Sequence, residues 1–394
     1  MEKKFGAVIA GACMVLSLNA AFAATPATPA TAPAAKAGPA DAQFKTIYTQ
    51  EWSWRLGQKM EEGEDDEKGG TTTLPRIDPA TQQKRLAYWQ DVMKKLDGIK
   101  QDKLSAEELI NYQVYKAQIG ALIDAQKFRE YEKPLNADTA FWSNMAGAAR
   151  NVLTKEKEYQ DYIKQMSDVP RYFNDQIVNM RAGMARGFTP PKVTLIGRDS
   201  SITSVTEAKT PQDTVFYMPF KAMPATIPAA RQEELRAEGV KAIETYVLPS
   251  YRNLLKFMRE EYVPKSREDL AAENLPDGKA YYQSKIVEFT TTTMSADEIH
   301  QIGVSEMAKI RAEMLDVIKQ TGFDGDLPAF LQFLRTDSRF YAKTPEELLM
   351  RSAWVAKKFD AKVGQYFGYL PRRRFAVIPV PDDQAPFYLS LIHI

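Results

Sequence analysis

Leu370-Pro371-Arg372-Arg373-Arg374-Phe375-Ala376-Val377-Ile378-Pro379-Val380-Pro381-Asp382-Asp383-Gln384-Ala385-Pro386-Phe387-Tyr388 is where a long run of helical pattern changes period. Phe375, Val377 and Pro379 alternate with Ala376, Ile378 and Val380, which predicts a short apolar strand closed by Pro-Asp turn chemistry. A strand needs a partner, and little chain follows. The folded sequence upstream reads mostly as helix, apart from one stretch that periodicity does not decide.

At 394 residues and 44% apolar content the chain can bury one large core or two ordinary ones. Residues 1–23 read as a secretory signal: Lys3 and Lys4 form the positive end, Phe5 to Leu18 the apolar run, and Ala21-Phe22-Ala23 the cleavage site. The apolar run is too short for a membrane span. A lipoprotein reading through Cys13 is weaker, because the apolar run continues past that residue. Cleavage after Ala23 would leave fifty basic and fifty acidic residues and no cysteine. A neutral balance argues against nucleic-acid and anionic-membrane partners. Without thiols no disulfide can form, so stability must come from the core. The expected address is the periplasm or the extracellular side.

Residues 24–41, rich in Ala, Pro and Thr, read as a flexible tether, and folded sequence is expected from 42 to 388. Glu61 to Gly70 is acidic but lacks the spacing of a calcium loop, so a solvated loop is the simpler reading. Helix starts are signalled at Asp78-Pro79, Ser105-Ala106-Glu107-Glu108, Ser295-Ala296-Asp297-Glu298 and Thr344-Pro345-Glu346-Glu347. Further helical pattern covers Phe141 to Leu153, Thr154 to Ser167, the stripe through Ile177, Met180 and Met184, Ala229 to Leu248, Tyr251 to Tyr262, Tyr281 to Thr290 and Leu327 to Leu334. Lys192 to Phe220 stays open between a strand at Val193 to Ile196 and a short helix after Asp199. The expected fold class is mainly α: a multi-helix array with one irregular insert and a short terminal β-strand.

Motifs that would carry chemistry are scarce. The sequence contains two histidines, His300 and His393, so a His-Glu-x-x-His zinc helix is not among its residues. Gly303-Val304-Ser305-Glu306-Met307 lacks the second glycine of a nucleophile elbow. His300, near the start of its helix, reads either as a substrate-binding or proton-transfer imidazole or as a hydrogen-bonded structural residue. Tyr281 and Tyr282 read as groove walls or as packing. Arg372, first of three arginines, reads as a carboxylate binder or as part of a solvated cluster. These four residues are the candidates for substrate binding; no catalytic or metal residue is assigned.

Several stretches together resemble a known family. They are Val169-Pro170-Arg171-Tyr172-Phe173 through Gly187-Phe188-Thr189-Pro190-Pro191; Leu275-Pro276-Asp277-Gly278 with Tyr281-Tyr282 and Thr290-Thr291-Thr292; Glu298-Ile299-His300-Gln301-Ile302-Gly303; Phe340-Tyr341 with Thr344 to Leu349; and the terminal Arg372-to-Tyr388 segment. The combination, from about Phe44 to Tyr388, is similar to the bacterial, commonly exported family called domain of unknown function eight-eight-five. That resemblance implies a long helical, zincin-like parent whose metal helix lies downstream of Tyr388, and so an incomplete zincin-like protein here. It further implies zinc as the parent's cofactor, with none held by this fragment, and a peptide or amide as its substrate. The fragment is then expected to be the inactive N-terminal part of a secreted zinc-dependent peptidase-like hydrolase. The alternative is a periplasmic helical module that binds peptide without catalysis. Oligomeric state is not legible. Leu389 to Ile394 can be encoded by CTG-TCT-CTT-ATA-CAC-ATC, a transposon end used in library preparation. These six residues, His393 included, are therefore expected to be non-native.

Overall fold

The computed structural model describes residues 38–58, 72–137, 139–370, 372 and 375–379. The signal segment, most of the tether, the acidic loop at 61–70 and the tail at 389–394 lie outside the described residues.

The first core is built from α1 (Pro39–Gly57), α2 (Pro79–Asp97) and α3 (Ala106–Lys127), which enclose Phe44, Trp89, Leu96, Tyr112 and Ile119. Helix α1 starts inside the stretch expected to be tether. Asp41 explains why: its buried carboxylate accepts from Gly38 N at 3.2 Å and from Ser105 N at 2.9 Å, tying the start of α1 to the cap of α3. Glu51 is also buried in this core, where an unpaired carboxylate would cost several kcal/mol. It is fully served instead. Arg55 donates Nε and Nη2 at 2.9 and 3.0 Å, and the Trp89 indole and Tyr115 hydroxyl each donate at 3.0 Å.

The second core gathers α4 (Phe141–Ala148), α5 (Glu156–Ser167), α6 (Val169–Ala185), α7 (Ser200–Thr206), α8 (Met218–Lys221), α9 (Ala229–Ala242) and α10 (Leu248–Phe257). Here most buried aromatic polar tips find backbone or hydroxyl partners, as a dry interior requires, while the Tyr262 hydroxyl has none among the described residues. Tyr251 donates to Trp142 O at 2.8 Å, the Trp142 indole donates to Ser201 Oγ at 2.9 Å, and Tyr162 donates to Phe216 O at 3.1 Å. The pattern predicts a break between Leu248 and Tyr251, at Pro249. The helix instead runs through, with a π turn at Ile243–Val247 ahead of the proline and another at Met258–Tyr262. Widening the preceding turn accommodates a proline ring that would otherwise meet the carbonyl four residues earlier.

The undecided stretch resolves as short helical turns. Lys192–Leu195 is one 3₁₀ turn, α7 follows, and further turns at Pro211–Asp213 and Val215–Tyr217 lead into α8. Its apolar residues Leu195, Ile202, Val205, Phe216 and Phe220 all point into the second core. The two cores are joined where the loop before α2 lies on α6; Asn179 Nδ2 donates to Ile77 O at 2.8 Å in a buried setting.

Four more helices follow: α11 (Gly278–Thr290), α12 (Ala296–Gln320), α13 (Leu327–Thr336) and α14 (Pro345–Asp360). The caps of α12 and α14 match the sequence signals. Ser295 Oγ accepts from Glu298 N at 3.3 Å, and Thr344 Oγ1 accepts from Glu347 N at 3.1 Å. Their burial does not match the others: α12 buries only Ile318, and α13 and α14 bury no residue fully. Met307 on α12 is 67% exposed and Trp354 on α14 is 62% exposed.

The terminal strand expected at Phe375–Val380 is not found. Phe375 to Pro379 carries no strand, and the described residues form no sheet; the sole β-type pairing among them is an isolated bridge between Leu135 and Ala140. An apolar alternation becomes a strand only with a ladder partner, and no described segment supplies one. The insert at 192–221, a possible donor, is spent on helical turns.

Candidate functional site

Helix α3 ends at Lys127, and the chain reverses through Arg129, a non-glycine residue at φ +56°. A 3₁₀ turn at Glu130–Glu132 follows, then Lys133-Pro134 and the bridge from Leu135 to Ala140. Asn136 Oδ1 accepts from Thr139 N at 2.7 Å, holding this loop in an Asx-type turn.

Opposite the loop stands α11, aimed by the Leu275-Pro276-Asp277-Gly278 turn. Asp277 has φ +55°, and a Cβ on Gly278 would sit 2.3 Å from Glu273 O, so only glycine fits. Tyr281, Lys285 and Glu288, spaced four and three apart, share the face of α11 turned to the loop. Together with Glu130, Lys133 and Thr139 they line a cavity of about 420 Å³.

Charge is unevenly balanced inside it. Lys285 pairs with Glu130 and also with Glu288 at 2.6 Å. Burial works against the Lys285 ammonium, but these two carboxylates outweigh it and raise its pKa. Lys133 has no carboxylate within ion-pair distance among the described residues; its Nζ lies 5.4 Å from the centre of the Phe188 ring. Burial lowers the Lys133 pKa, and the charges of Lys285 and Arg267 add to this against the pull of Glu130. The Tyr281 ring is wedged edge-on between Phe128 and Phe188, at 5.5 Å from each. Its hydroxyl has no hydrogen-bond partner among the described residues, and burial, followed by the Glu130 charge, pushes its pKa up to about 12. The cleft therefore offers an ammonium and a phenol as donors, and a carboxylate pair that one lysine only half neutralises.

Of the four residues singled out from the sequence, Tyr281 alone lines this cleft. Tyr282, its neighbour on α11, is 48% exposed and does not contribute to the walls. His300 lies exposed on α12 without a hydrogen-bond partner among the described residues, and Arg372 is exposed near the end of the described chain. The structure does not bring these four together. Sequence reasoning missed Lys133, Lys285, Glu130 and Glu288. The four-three spacing of Tyr281, Lys285 and Glu288 was a local signal; their meeting with the turn after α3, some 150 residues away, was not.

Among the described residues no three His, Cys, Asp or Glu side chains converge as a metal centre would require. No helix among them is long and apolar enough to cross a membrane.

Comparison with solved structures finds a chain described as "the putative lipoprotein from Colwellia psychrerythraea". It matches with a TM-score of 0.75 and 20% sequence identity, over 87% of the present chain and 63% of its own length. The likeness is one of fold, and the present chain spans under two thirds of that protein. Comparison with curated proteins gives no match. Residues 55–390 match the family described as "Bacterial protein of unknown function (DUF885)", and the chain belongs to that family.

Proposed function

We propose that this chain is the N-terminal part of an exported zinc-dependent peptidase-like hydrolase, contributing helical walls while the metal and its ligands belong to a further part of the same polypeptide. The observation that carries the reading is the apolar surface of α12 and α14. Met307, Ile310, Trp354 and Phe359 are exposed, although the helices are patterned and capped as core elements are. Such a surface is what an array would present to additional chain packed against it. In this reading the signal at 1–23 delivers the protein to the periplasm or beyond, and the substrate is a peptide or related amide.

The test is to express the chain with the native continuation of its gene and to measure bound zinc and hydrolysis of a peptide library. Stoichiometric zinc together with cleavage supports the reading. An extended protein that folds but has neither overturns it.

A second reading, a helical module that binds peptide without cleaving it, draws on the two closed and mutually joined cores. The buried Glu51 carboxylate and most of their buried aromatic hydroxyls are satisfied within the chain. It expects the 394-residue chain to unfold cooperatively as a monomer and to bind peptide intact.

A further inference from the structure

We propose that the cleft between α11 and the turn after α3 binds a small dipolar molecule through its carboxylate and its ammonium group, namely a free amino acid or the end of a short peptide. The inference goes beyond the hydrolase reading and does not rest on it, because every residue it is argued from lies among the described residues.

Three features point to this ligand. First, the charges are separated. Glu130, Lys285 and Glu288 together carry one net negative charge, while Lys133 feels Glu130 but has no carboxylate within ion-pair distance among the described residues. A ligand with both signs completes both, and a singly charged one completes only half. Second, the cleft has a fixed neutral donor in its wall. The Tyr281 hydroxyl is unpartnered among the described residues, its ring is clamped by Phe128 and Phe188, and it stays protonated because its pKa lies near 12. A polar ligand atom in the cleft therefore has a neutral donor available that needs no reorganisation. Third, the size is modest. A cavity of about 420 Å³ sits at the small end of ligand pockets, which span roughly 300–1,000 Å³. Leu135 and Phe289 give an apolar wall for a side chain.

The bland reading is that Lys133 only packs on Phe188, as many half-buried lysine stems do. It does not account for the paired imbalance, since packing alone needs neither the spare carboxylate charge nor an open phenol.

Calorimetric titration of the full chain with L-alanyl-L-leucine, its C-terminal amide, its N-acetyl form and free L-leucine tests the proposal. The free dipeptide or free leucine should bind saturably. Which of them binds more tightly assigns the site to peptide ends or to amino acids. Amidation and acetylation should each weaken binding about tenfold or more, the size of one lost charge-assisted hydrogen bond. Lys133→Met should remove the preference for the acid over the amide, and Glu288→Gln at the rim should reduce the preference for the free over the acetylated amine. If Lys133→Met does not fold, the amide comparison on the unaltered protein still decides. The proposal is overturned if neither free probe binds, if the amide binds as well as the acid, or if a folded Lys133→Met protein keeps the preference.

Discussion

Asp168 and Arg171 stand one turn apart at the start of α6, joined by two hydrogen bonds of 2.7 Å from the guanidinium Nε and Nη2 to the two carboxylate oxygens. The pair also grips a distant loop. Asp168 accepts from Leu74 N at 2.8 Å, and Arg171 Nη2 donates to Leu74 O at 3.0 Å and to Pro75 O at 3.3 Å. That loop leads into α2, so the pair fastens the first core to the second. Arg171→Met leaves a half-buried carboxylate and two loop carbonyls without their donor. It should lower stability by about 2–3 kcal/mol, as for loss of hydrogen bonds to charged groups. Urea unfolding followed by Trp89 fluorescence checks it, and a midpoint equal to that of the parent protein would contradict the clamp.

The same pair sets part of the acid sensitivity. Burial would raise the Asp168 pKa, but the Arg171 bonds and the Leu74 N–H outweigh it and hold the carboxyl below its ordinary value of 3.8. A folded pKa below the unfolded one means stability that is fully present above the unfolded value and is lost as pH falls through the folded one. Asp78 shifts the same way, through the Thr81 hydroxyl and neighbouring backbone N–H groups. Unfolding free energy should therefore be level from neutral pH down to about 5 and fall from these groups as the pH drops below their ordinary carboxylate range. Asp168→Asn should flatten that fall and also lower the plateau. An unchanged slope in the variant would remove Asp168 from the account.

Gly278 controls how α11 faces the cleft. A methyl group there would lie 2.3 Å from Glu273 O and 2.4 Å from Ala272 O, both backbone atoms that cannot swing aside. Gly278→Ala should cost at least about 1–3 kcal/mol, as overpacking does. It should also shift Tyr281 away from Phe128 and Phe188, which the tyrosine ring resonances would report by NMR. Gly303→Ala, on α12 with nothing within 4 Å of the added carbon, is the matched control and should be near neutral or slightly stabilising.

These particulars show where sequence reading works. The caps at Asp78, Ser105, Ser295 and Thr344 were legible because each is closed by a hydrogen bond to a backbone N–H three residues on. The π turn before Pro249 was not, because a proline in a helical pattern reads as a break unless the neighbouring turn is known to widen. The strand at Phe375–Val380 failed for a related reason: alternation describes a surface, and its partner must come from elsewhere. In the cleft, Tyr281 is legible as an aromatic near a turn, whereas no local sequence pattern marks Lys133. Only the fold places it over Phe188 with no ion-pair partner among the described residues.

The apolar surface of α12 yields a prediction that separates a solvent-facing helix from one awaiting a partner. Met307 is 67% exposed in this chain, so Met307→Lys replaces one exposed side chain by another. In the 394-residue protein the change should lie within about 0.5 kcal/mol of neutral, as surface substitutions do. If further chain packs over α12 in a longer protein, the same lysine is forced out of water without a partner. The cost should then rise to several kcal/mol. Thermal unfolding of both proteins, each with and without Met307→Lys, measures the difference directly. A substitution equally silent in both would mean that this face of α12 is built for solvent, and the hydrolase reading would lose the observation that supports it.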